Sequence, residues 1–308
     1  MRAFIFPGQG SQAVGMGAAL AGASRAARDV FDEVDEALGH SLFRLMRDGP
    51  DDELKLTENA QPAIMAHSIA VLRTMGVRLA DVAGFVAGHS LGEYSALCAA
   101  GSFDLATAAK LLKLRGQAMQ QAVPVGEGAM AALLGADLAL AQKIAEAAAQ
   151  GQVCTVANDN DPSQVVISGN KAAIDRAIEM AKEMGAKRAV PLPVSAPFHC
   201  PLMQPAAEAM RDALSYVVIE QPAVPVFANV TAQPESDPDT IRNQLVEQVT
   251  GMVRWRESVA NMFDAGVHEF VEIGGKVLGS MVKRIAPDAK VTSVVTIEDV
   301  EAAAKEIA

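Results

Sequence analysis

A serine between two glycines is the first sign of chemistry in this chain. Residues 88–92 have the pattern G-x-S-x-G, preceded by the apolar segment 82–87 and followed by the helix-forming residues 93–97. A strand, a tight turn and a helix are predicted there, which would expose the Ser90 hydroxyl on a strained turn. The backbone amide of Leu91 and the positive end of the helix would stabilise an oxyanion. The pattern indicates acyl-serine chemistry, although a serine between glycines also occurs in ordinary turns.

A serine nucleophile needs a base, and the chain has five histidines. His199 lies in the proline-rich segment 193–201, at the junction of two predicted domains, where clefts form. We expect it to be the base; the alternative is an ordinary loop histidine. His268 opens a predicted strand and is a second candidate base, in an esterase-like chain order. Of the other three, His40 is expected to be solvated and His67 to be a packing residue in a helix. His89 is expected to point away from its neighbour Ser90.

One arginine lies on the apolar face of a predicted helix over residues 104–122. Arg115 falls on a stripe of helical spacing with Ala108, Leu111, Leu112, Met119 and Ala122. A guanidinium keeps its proton, so on a buried face it needs an anion. That anion is either one of the 37 acidic residues of the chain or the carboxylate of a substrate, held in a bidentate manner.

The loop after the first predicted strand contains Gly8-Gln-Gly-Ser-Gln-Ala13. It formally fits the dinucleotide-binding pattern G-x-G-x-x-A, but Gly15 and Gly17 interrupt the helix that should follow. The alternative is that Gln9, flanked by glycines, presents its backbone amide as a second oxyanion donor beside Leu91.

Composition narrows the classes of protein. The chain has 308 residues, enough for one large α/β domain or a large and a small one, and its net charge of −11 argues against nucleic acid as the main partner. The three cysteines lack metal-type spacing and fit a reducing cytoplasm. No apolar segment reaches the roughly 20 residues that span a bilayer, and no secretory signal is expected at the start of the chain. We therefore expect a cytoplasmic enzyme without a membrane anchor.

Strands and helices alternate along the chain, which predicts an α/β fold with a mainly parallel sheet. Residues 1–124 and 197–308 are predicted to form a large α/β-hydrolase-like subdomain. Residues 125–196 have the order strand, helix, strand, strand, helix, strand, and are predicted to be an inserted ferredoxin-like (βαββαβ) subdomain. Helices are predicted over 60–75 and 104–122, and the small subdomain's elements over 129–134, 137–149, 153–157, 164–168, 171–184 and 187–192.

Several motifs together resemble the malonyl-CoA:acyl carrier protein transacylase family. They are Phe6-Pro-Gly-Gln-Gly-Ser-Gln12, Gly88-His-Ser-Leu-Gly-Glu-Tyr-Ser95, Arg115-Gly-Gln-Ala-Met119 and the segment 193–199. Further matches extend the resemblance over nearly the full chain: Asn158, Ser168-Gly169, 225–229, Gln248, Trp255 and 274–278. One departure is visible, since the family's glycine-proline-glycine before the lysine is shortened to Gly274-Gly275.

The resemblance implies a role for each candidate residue. Ser90 would be the nucleophile, His199 the base and Arg115 the ligand of the malonyl carboxylate. Gln9 and Leu91 would supply the oxyanion amides, and the backbone carbonyl of Gln248 would orient the histidine in place of a triad aspartate. Malonyl would pass from malonyl-CoA to the phosphopantetheine thiol of holo acyl carrier protein in fatty acid synthesis, with no metal or other cofactor and with the enzyme a monomer.

Three alternatives remain open at this point. A stand-alone acyltransferase of polyketide synthesis has the same motifs; an α/β-hydrolase-type esterase or thioesterase shares the serine turn but needs an acidic triad member; and a non-catalytic binding module would have no use for the three reactive residues. We also expect a basic surface to dock the acidic carrier protein, formed by Lys187, Arg188, Lys276, Lys283 and Arg284.

Overall fold

The computed structural model describes residues 1–307. Its strands are β1 Arg2–Phe6, β2 Phe85–Gly88, β3 Gly128–Leu134, β4 Cys154–Asp161, β5 Gln164–Asn170, β6 Arg188–Pro191, β7 Val226–Phe227, β8 Pro234–Glu235, β9 Glu269–Ile273 and β10 Lys290–Val294. Its first eight α-helices are α1 Ala18–Ala23, α2 Arg25–Leu38, α3 Leu42–Asp48, α4 Asp51–Lys55, α5 Thr57–Met75, α6 Leu79–Val82, α7 Leu91–Ala99 and α8 Leu105–Ala122. The others are α9 Leu138–Ala149, α10 Lys171–Ala181, α11 Gln204–Ser215, α12 Pro238–Glu247, α13 Trp255–Asp264, α14 Leu278–Ile285 and α15 Ile297–Ile307.

A six-stranded sheet with the order β10-β9-β1-β2-β7-β8 organises the larger part of the molecule. All its neighbours are parallel except β7 and β8. The central strand β1 is apolar along Ala3–Phe6, as expected for a parallel strand covered on both faces. Helices α5 and α8 pack on one face of the sheet, and α13 and α14 pack on the other. The carboxyl ends of β1 and β2 lie side by side, which brings the loops at residue 8 and residue 89 together.

A second sheet is entirely antiparallel and has the order β4-β5-β3-β6. Helices α9 and α10 bury small apolar residues against one of its faces. This arrangement confirms the predicted ferredoxin-like unit within an α/β protein. The sheet spans residues 128–191, while the exact subdomain limits of 125 and 196 stay a prediction.

Two buried aspartates join the two parts of the molecule. Asp159 and Asp161, both on β4, form ion pairs with Arg256 of α13 and Arg284 of α14, at 2.8 Å in each case. The backbone amide of Asp159 also donates to the carbonyl of Val253. The small subdomain is therefore fixed to the larger one by charged side chains as well as by backbone contacts.

Several predicted boundaries differ from the structure. Val82 belongs to the short helix α6, so β2 begins only at Phe85. Helix α5 begins at Thr57, which places Pro62 in its second turn and not its first. Strand β4 continues to Asp161, four residues beyond the predicted end, because two register irregularities allow it to stay paired with β5 through a polar stretch. Within residues 1–307, no helix is both long and apolar enough to cross a bilayer.

Candidate active site

Ser90 occupies a strained turn between β2 and α7. Its φ and ψ angles are 54° and −112°, a backbone conformation that residues other than glycine rarely adopt. The flanking glycines make the turn possible: a Cβ atom on Gly88 would lie 1.9 Å from the carbonyl carbon of Gly92, and one on Gly92 would lie 2.3 Å from the carbonyl oxygen of Phe6. The chain therefore forms the predicted nucleophile elbow, with backbone strain held at a site of function.

His199 contacts the serine directly. The Ser90 hydroxyl lies 2.7 Å from Nε2 of His199, and Nδ1 of His199 lies 2.8 Å from the backbone carbonyl oxygen of Gln248. A carbonyl only accepts hydrogen bonds, so Nδ1 carries the proton and Nε2 is the free acceptor that a base requires. His199 also has a positive φ of 56°, and it is buried. The structure thus brings the two residues together as predicted, with a carbonyl in the place of a triad carboxylate.

The histidine is held in its neutral form. Burial, the largest cause, and the positive charge of Arg115 together lower its pKa to about 3, although the hydrogen bond to the Gln248 carbonyl opposes both effects. A neutral imidazole at pH 7 is ready to accept the serine proton.

Arg115 lies fully inside the protein without a carboxylate partner. Its guanidinium donates to amide oxygens of Gln61 and Gln248, each at 2.8 Å, and to the Ser90 hydroxyl at 3.2 Å. Its Nε atom is buried without an acceptor, and its Cζ atom lies 5.6 Å from the centre of the Tyr94 ring. No ion pair of Arg115 is present within residues 1–307, so the salt-bridge alternative is wrong. A buried cation beside the nucleophile is left with capacity for an incoming anion.

The two predicted oxyanion amides line the same cleft. Leu91 is the first residue of α7, where a backbone N–H has no intrahelical acceptor. Gln9 follows β1, and its side-chain oxygen accepts a hydrogen bond from Thr57 at 3.0 Å, which fixes the loop. Their role in binding an oxyanion stays a prediction.

A cleft of about 440 Å³ is lined by Ser90, His199, Arg115, Gln9 and Leu91. The carboxyl ends of β1 and β2 form one side, and the small subdomain supplies Met130 and Asn158 on the other. The walls are mainly apolar, with Met119, Leu192 and Phe198 around the polar centre. The volume and the mainly apolar walls with a few polar groups are typical of a small-molecule site.

Sequence reasoning missed three polar residues that hold the site. Glu93 is 1% exposed and accepts hydrogen bonds from the Gln248 side chain at 2.7 Å and the Asn229 amide at 3.1 Å; burial raises its pKa to about 7. Asn229 accepts from the Ser90 amide and donates to the Gly88 carbonyl, at 2.8 and 2.7 Å. Gln61 supports Arg115. The position of Glu93 in a mainly apolar helix could have indicated a buried charge. The contacts that explain the three residues are distant in sequence.

The remaining histidines lie elsewhere. His89 points away from the serine and bonds to Asn160 at 2.8 Å. His67 is packed inside α5, and His40 is exposed, as expected. His268 is exposed and packs against Phe263, so it is not the base.

The predicted basic docking surface is only partly available. Arg284 pairs with buried Asp161, and the Lys283 ammonium donates to the carbonyls of Pro287 and Ala289. Lys276 lies 3.5 Å from Asp299. Lys187 and Arg188 are exposed and take part in no ion pair within the described residues. Three of the five basic residues are therefore engaged within the chain, and the role of all five in docking stays a prediction.

Comparisons with known proteins identify the family of the chain. The model of the acyl transferase domain family matches residues 3–294. The chain is 47% identical over 284 residues to the malonyl CoA-acyl carrier protein transacylase of Escherichia coli K12, covering 92% of each chain. Its fold is similar to the crystal structure of an acyl-carrier-protein S-malonyltransferase from Bartonella henselae, with a TM-score of 0.97, 53% identity and 99% coverage of both chains.

A third relative was solved with its partner. It is a malonyl-transacylase in complex with a type II polyketide synthase acyl-carrier protein, with a TM-score of 0.96, 41% identity and 99% coverage of both chains. The site geometry, the family model and the close relatives lead to one conclusion: the chain is an acyltransferase that belongs to the malonyl-CoA:acyl carrier protein transacylase family.

Proposed function

We propose that this enzyme transfers a malonyl group from malonyl-CoA to the phosphopantetheine thiol of holo acyl carrier protein. The observation that carries the proposal is the buried guanidinium of Arg115, which lies 3.2 Å from the Ser90 hydroxyl and has no carboxylate partner in the described chain. An acyl group on Ser90 that ends in a carboxylate would place its charge beside this cation. An acetyl group would leave the cation without an anion.

The first half-reaction forms an acyl-enzyme. His199 Nε2 takes the proton of the Ser90 hydroxyl as the oxygen attacks the thioester carbonyl of malonyl-CoA. The amides of Leu91 and Gln9 would bind the resulting oxyanion. Collapse of the tetrahedral intermediate breaks the carbon–sulfur bond, and the proton held by His199 passes to the CoA thiolate. Malonyl-Ser90 and free CoA are the products.

The second half-reaction reverses the chemistry with another thiol. His199 takes the proton of the phosphopantetheine thiol, and the sulfur attacks the ester carbonyl of malonyl-Ser90. The serine oxygen leaves and recovers its proton from His199. Arg115 would hold the malonyl carboxylate through both steps, so the acyl carbon stays fixed while the two carriers exchange.

The reaction scheme also bears on the acceptor protein, the need for a cofactor and the place where the enzyme acts. The relative solved with a carrier protein supports acyl carrier protein as the acceptor, and we propose Lys187 and Arg188 as the basic contacts for it. The scheme needs no metal or redox cofactor. We also propose that the enzyme acts as a monomer in the cytoplasm, where its three free cysteines would stay reduced.

The polyketide pathway is the second candidate destination of the malonyl group, because a relative of the same fold was solved with a type II polyketide carrier protein. Transfer rates to a fatty acid and to a polyketide carrier protein, measured side by side, separate the two. Hydrolysis is less well supported, since the histidine is oriented by a carbonyl instead of an acidic residue. Release of free malonate faster than transfer to carrier protein would favour the esterase alternative.

A further inference from the structure

Arg115 and Glu93 contact opposite ends of the side-chain carboxamide of Gln248. Gln248 accepts from the Arg115 guanidinium through Oε1, at 2.8 Å, and donates to the Glu93 carboxylate through Nε2, at 2.7 Å. Glu93 and Arg115 are each 1% exposed, so solvent screens neither charge.

These two contacts determine which end of the Gln248 carboxamide is the oxygen and which is the NH₂ group. The reversed orientation would place an NH₂ group against the guanidinium and an oxygen against the carboxylate, so both contacts would be repulsive. Glu93 therefore balances the charge of Arg115 through Gln248 without forming a direct ion pair. The guanidinium remains open to a substrate carboxylate, which a direct partner would exclude.

The net charge of the active site changes when Ser90 carries an anionic acyl group, an argument that rests on the proposed function. The free site contains one cation and one buried carboxylate. Malonyl-Ser90 adds a second carboxylate, so the occupied pocket has two negative charges around one positive charge. In a buried site such repulsion is strong, and an acetyl group would not experience it.

We propose that Glu93 is a positioning residue that acts through Gln248 on Arg115 and limits how tightly the pocket retains an anionic acyl group. The malonyl group would be recognised by the guanidinium yet held loosely enough to be passed to the second thiol. Without the Glu93 charge, the acyl-enzyme would be more stable and turnover slower.

The test is the equilibrium constant for acylation. Intact-mass measurement gives the acylated fraction at set ratios of malonyl-CoA to free CoA, and then of acetyl-CoA to free CoA. For Glu93→Gln, which removes the charge but keeps an acceptor for Gln248, the constant for malonyl should rise about fivefold when it is measured at pH 8, where most of the wild-type Glu93 is ionised. The constant for acetyl should change less than twofold. Equal changes for both acyl groups, or a fall for malonyl, would overturn the proposal and leave Glu93 a structural residue.

Two variants serve as matched controls. Glu93→Asp keeps the charge and should retain the malonyl constant within threefold. Glu272 is also a fully buried carboxylate, but it accepts hydrogen bonds from the amide of Val277 and from the first two amides of α14, outside the site. Glu272→Gln should leave both acylation constants unchanged even if it lowers the melting temperature.

The wild-type enzyme provides an independent readout if Glu93→Gln does not fold. The charged or titratable groups that act on Glu93 directly are Arg115 on α8 and Tyr94 on α7, and His199 is joined to it through Gln248. Burial raises the pKa of Tyr94 and lowers that of His199 to about 3, so only Glu93, with a pKa of about 7, titrates between pH 6 and 8.

The ratio of the malonyl constant to the acetyl constant should therefore rise as the pH falls from 8 to 6, because protonation removes the repelling charge. A flat ratio would contradict the proposal. A wild-type enzyme that forms no malonyl adduct at all would instead refute the proposed function itself.

Discussion

The Nε2 atom of His199 lies 2.7 Å from the Oγ atom of Ser90, although 109 positions separate the two residues in the chain. Both have positive φ angles, 56° and 54°, so each stands on a strained backbone that the surrounding fold holds in place. Backbone strain of this kind is common at functional sites, which agrees with a catalytic role for this pair.

The charge of Arg115 should determine which acyl group is transferred. Arg115→Ala removes the buried cation that contacts Ser90, and we expect malonyl transfer to fall at least 100-fold, since charge-assisted contacts in a buried site contribute about 3 kcal/mol. Acetyl transfer should change less than fivefold. Rates from both CoA thioesters, measured with the same carrier protein, check this. Arg73→Ala, which breaks a surface ion pair with Glu33, should affect neither rate, and equal losses for both donors in Arg115→Ala would make Arg115 structural.

The lowered pKa of His199 should be visible in the pH dependence of acylation. An ordinary histidine has a pKa near 6.5 and would lose its base form below that pH. Because burial lowers the pKa of His199 to about 3, the base form persists, and the single-turnover rate of Ser90 acylation should fall less than threefold between pH 7 and pH 5. A tenfold loss per pH unit below 6.5 would show that His199 titrates normally. His199→Ala should lower the rate by about 10³-fold at every pH in this range.

The glycines of the elbow should tolerate no side chain. Gly88→Ala places a Cβ atom 1.9 Å from backbone atoms of Gly92, so we expect loss of activity and a fall in stability of more than about 3 kcal/mol. Urea unfolding and acylation assays measure the two effects. Gly22 in α1 has open space around it, and Gly22→Ala should keep full activity and stability within about 1 kcal/mol. A stable, active Gly88→Ala enzyme would mean that the turn has another geometry.

Charge reversal separates docking residues from structural ones. Lys187→Glu and Arg188→Glu should raise the KM for holo carrier protein about tenfold, because charges on a docking surface increase the rate of association with the partner. The KM for malonyl-CoA and the stability should not change. Arg284→Ala should do the opposite: it leaves Asp161 buried without its partner and should cost about 2–3 kcal/mol of stability with no effect on the KM for the carrier. Steady-state kinetics and thermal unfolding check both. An unchanged KM for the carrier in both reversal variants would reject this docking surface.

The sequence predicted the reactive residues well because their signals are local. The G-x-S-x-G pattern places Ser90 on its turn, the helical stripe places Arg115 on a buried face, and prolines mark the segment of His199. The alternation of strands and helices likewise predicted both sheets.

Tertiary partners were much harder to predict. Asn229 supports the elbow from 139 residues away, and Asp161 pairs with Arg284 across 123 residues. No residue type or spacing in the chain indicates either contact. The orienting carbonyl of Gln248 is a backbone atom, which carries no residue signature, and only the family resemblance pointed to it. The extension of β4 through Asp161 depends on pairing with β5, which overrides the low strand propensity of a polar segment.

The central claim is that Ser90 carries the malonyl group between two thiols. The most direct measurement is intact-mass analysis with peptide mapping, first after mixing the enzyme with malonyl-CoA and then after adding holo acyl carrier protein. We predict one malonyl adduct, located on Ser90, that disappears from the enzyme as the same mass appears on the carrier, and no adduct in Ser90→Ala. An adduct on another residue, or loss of the adduct as free malonate without gain of mass on the carrier, would contradict the account.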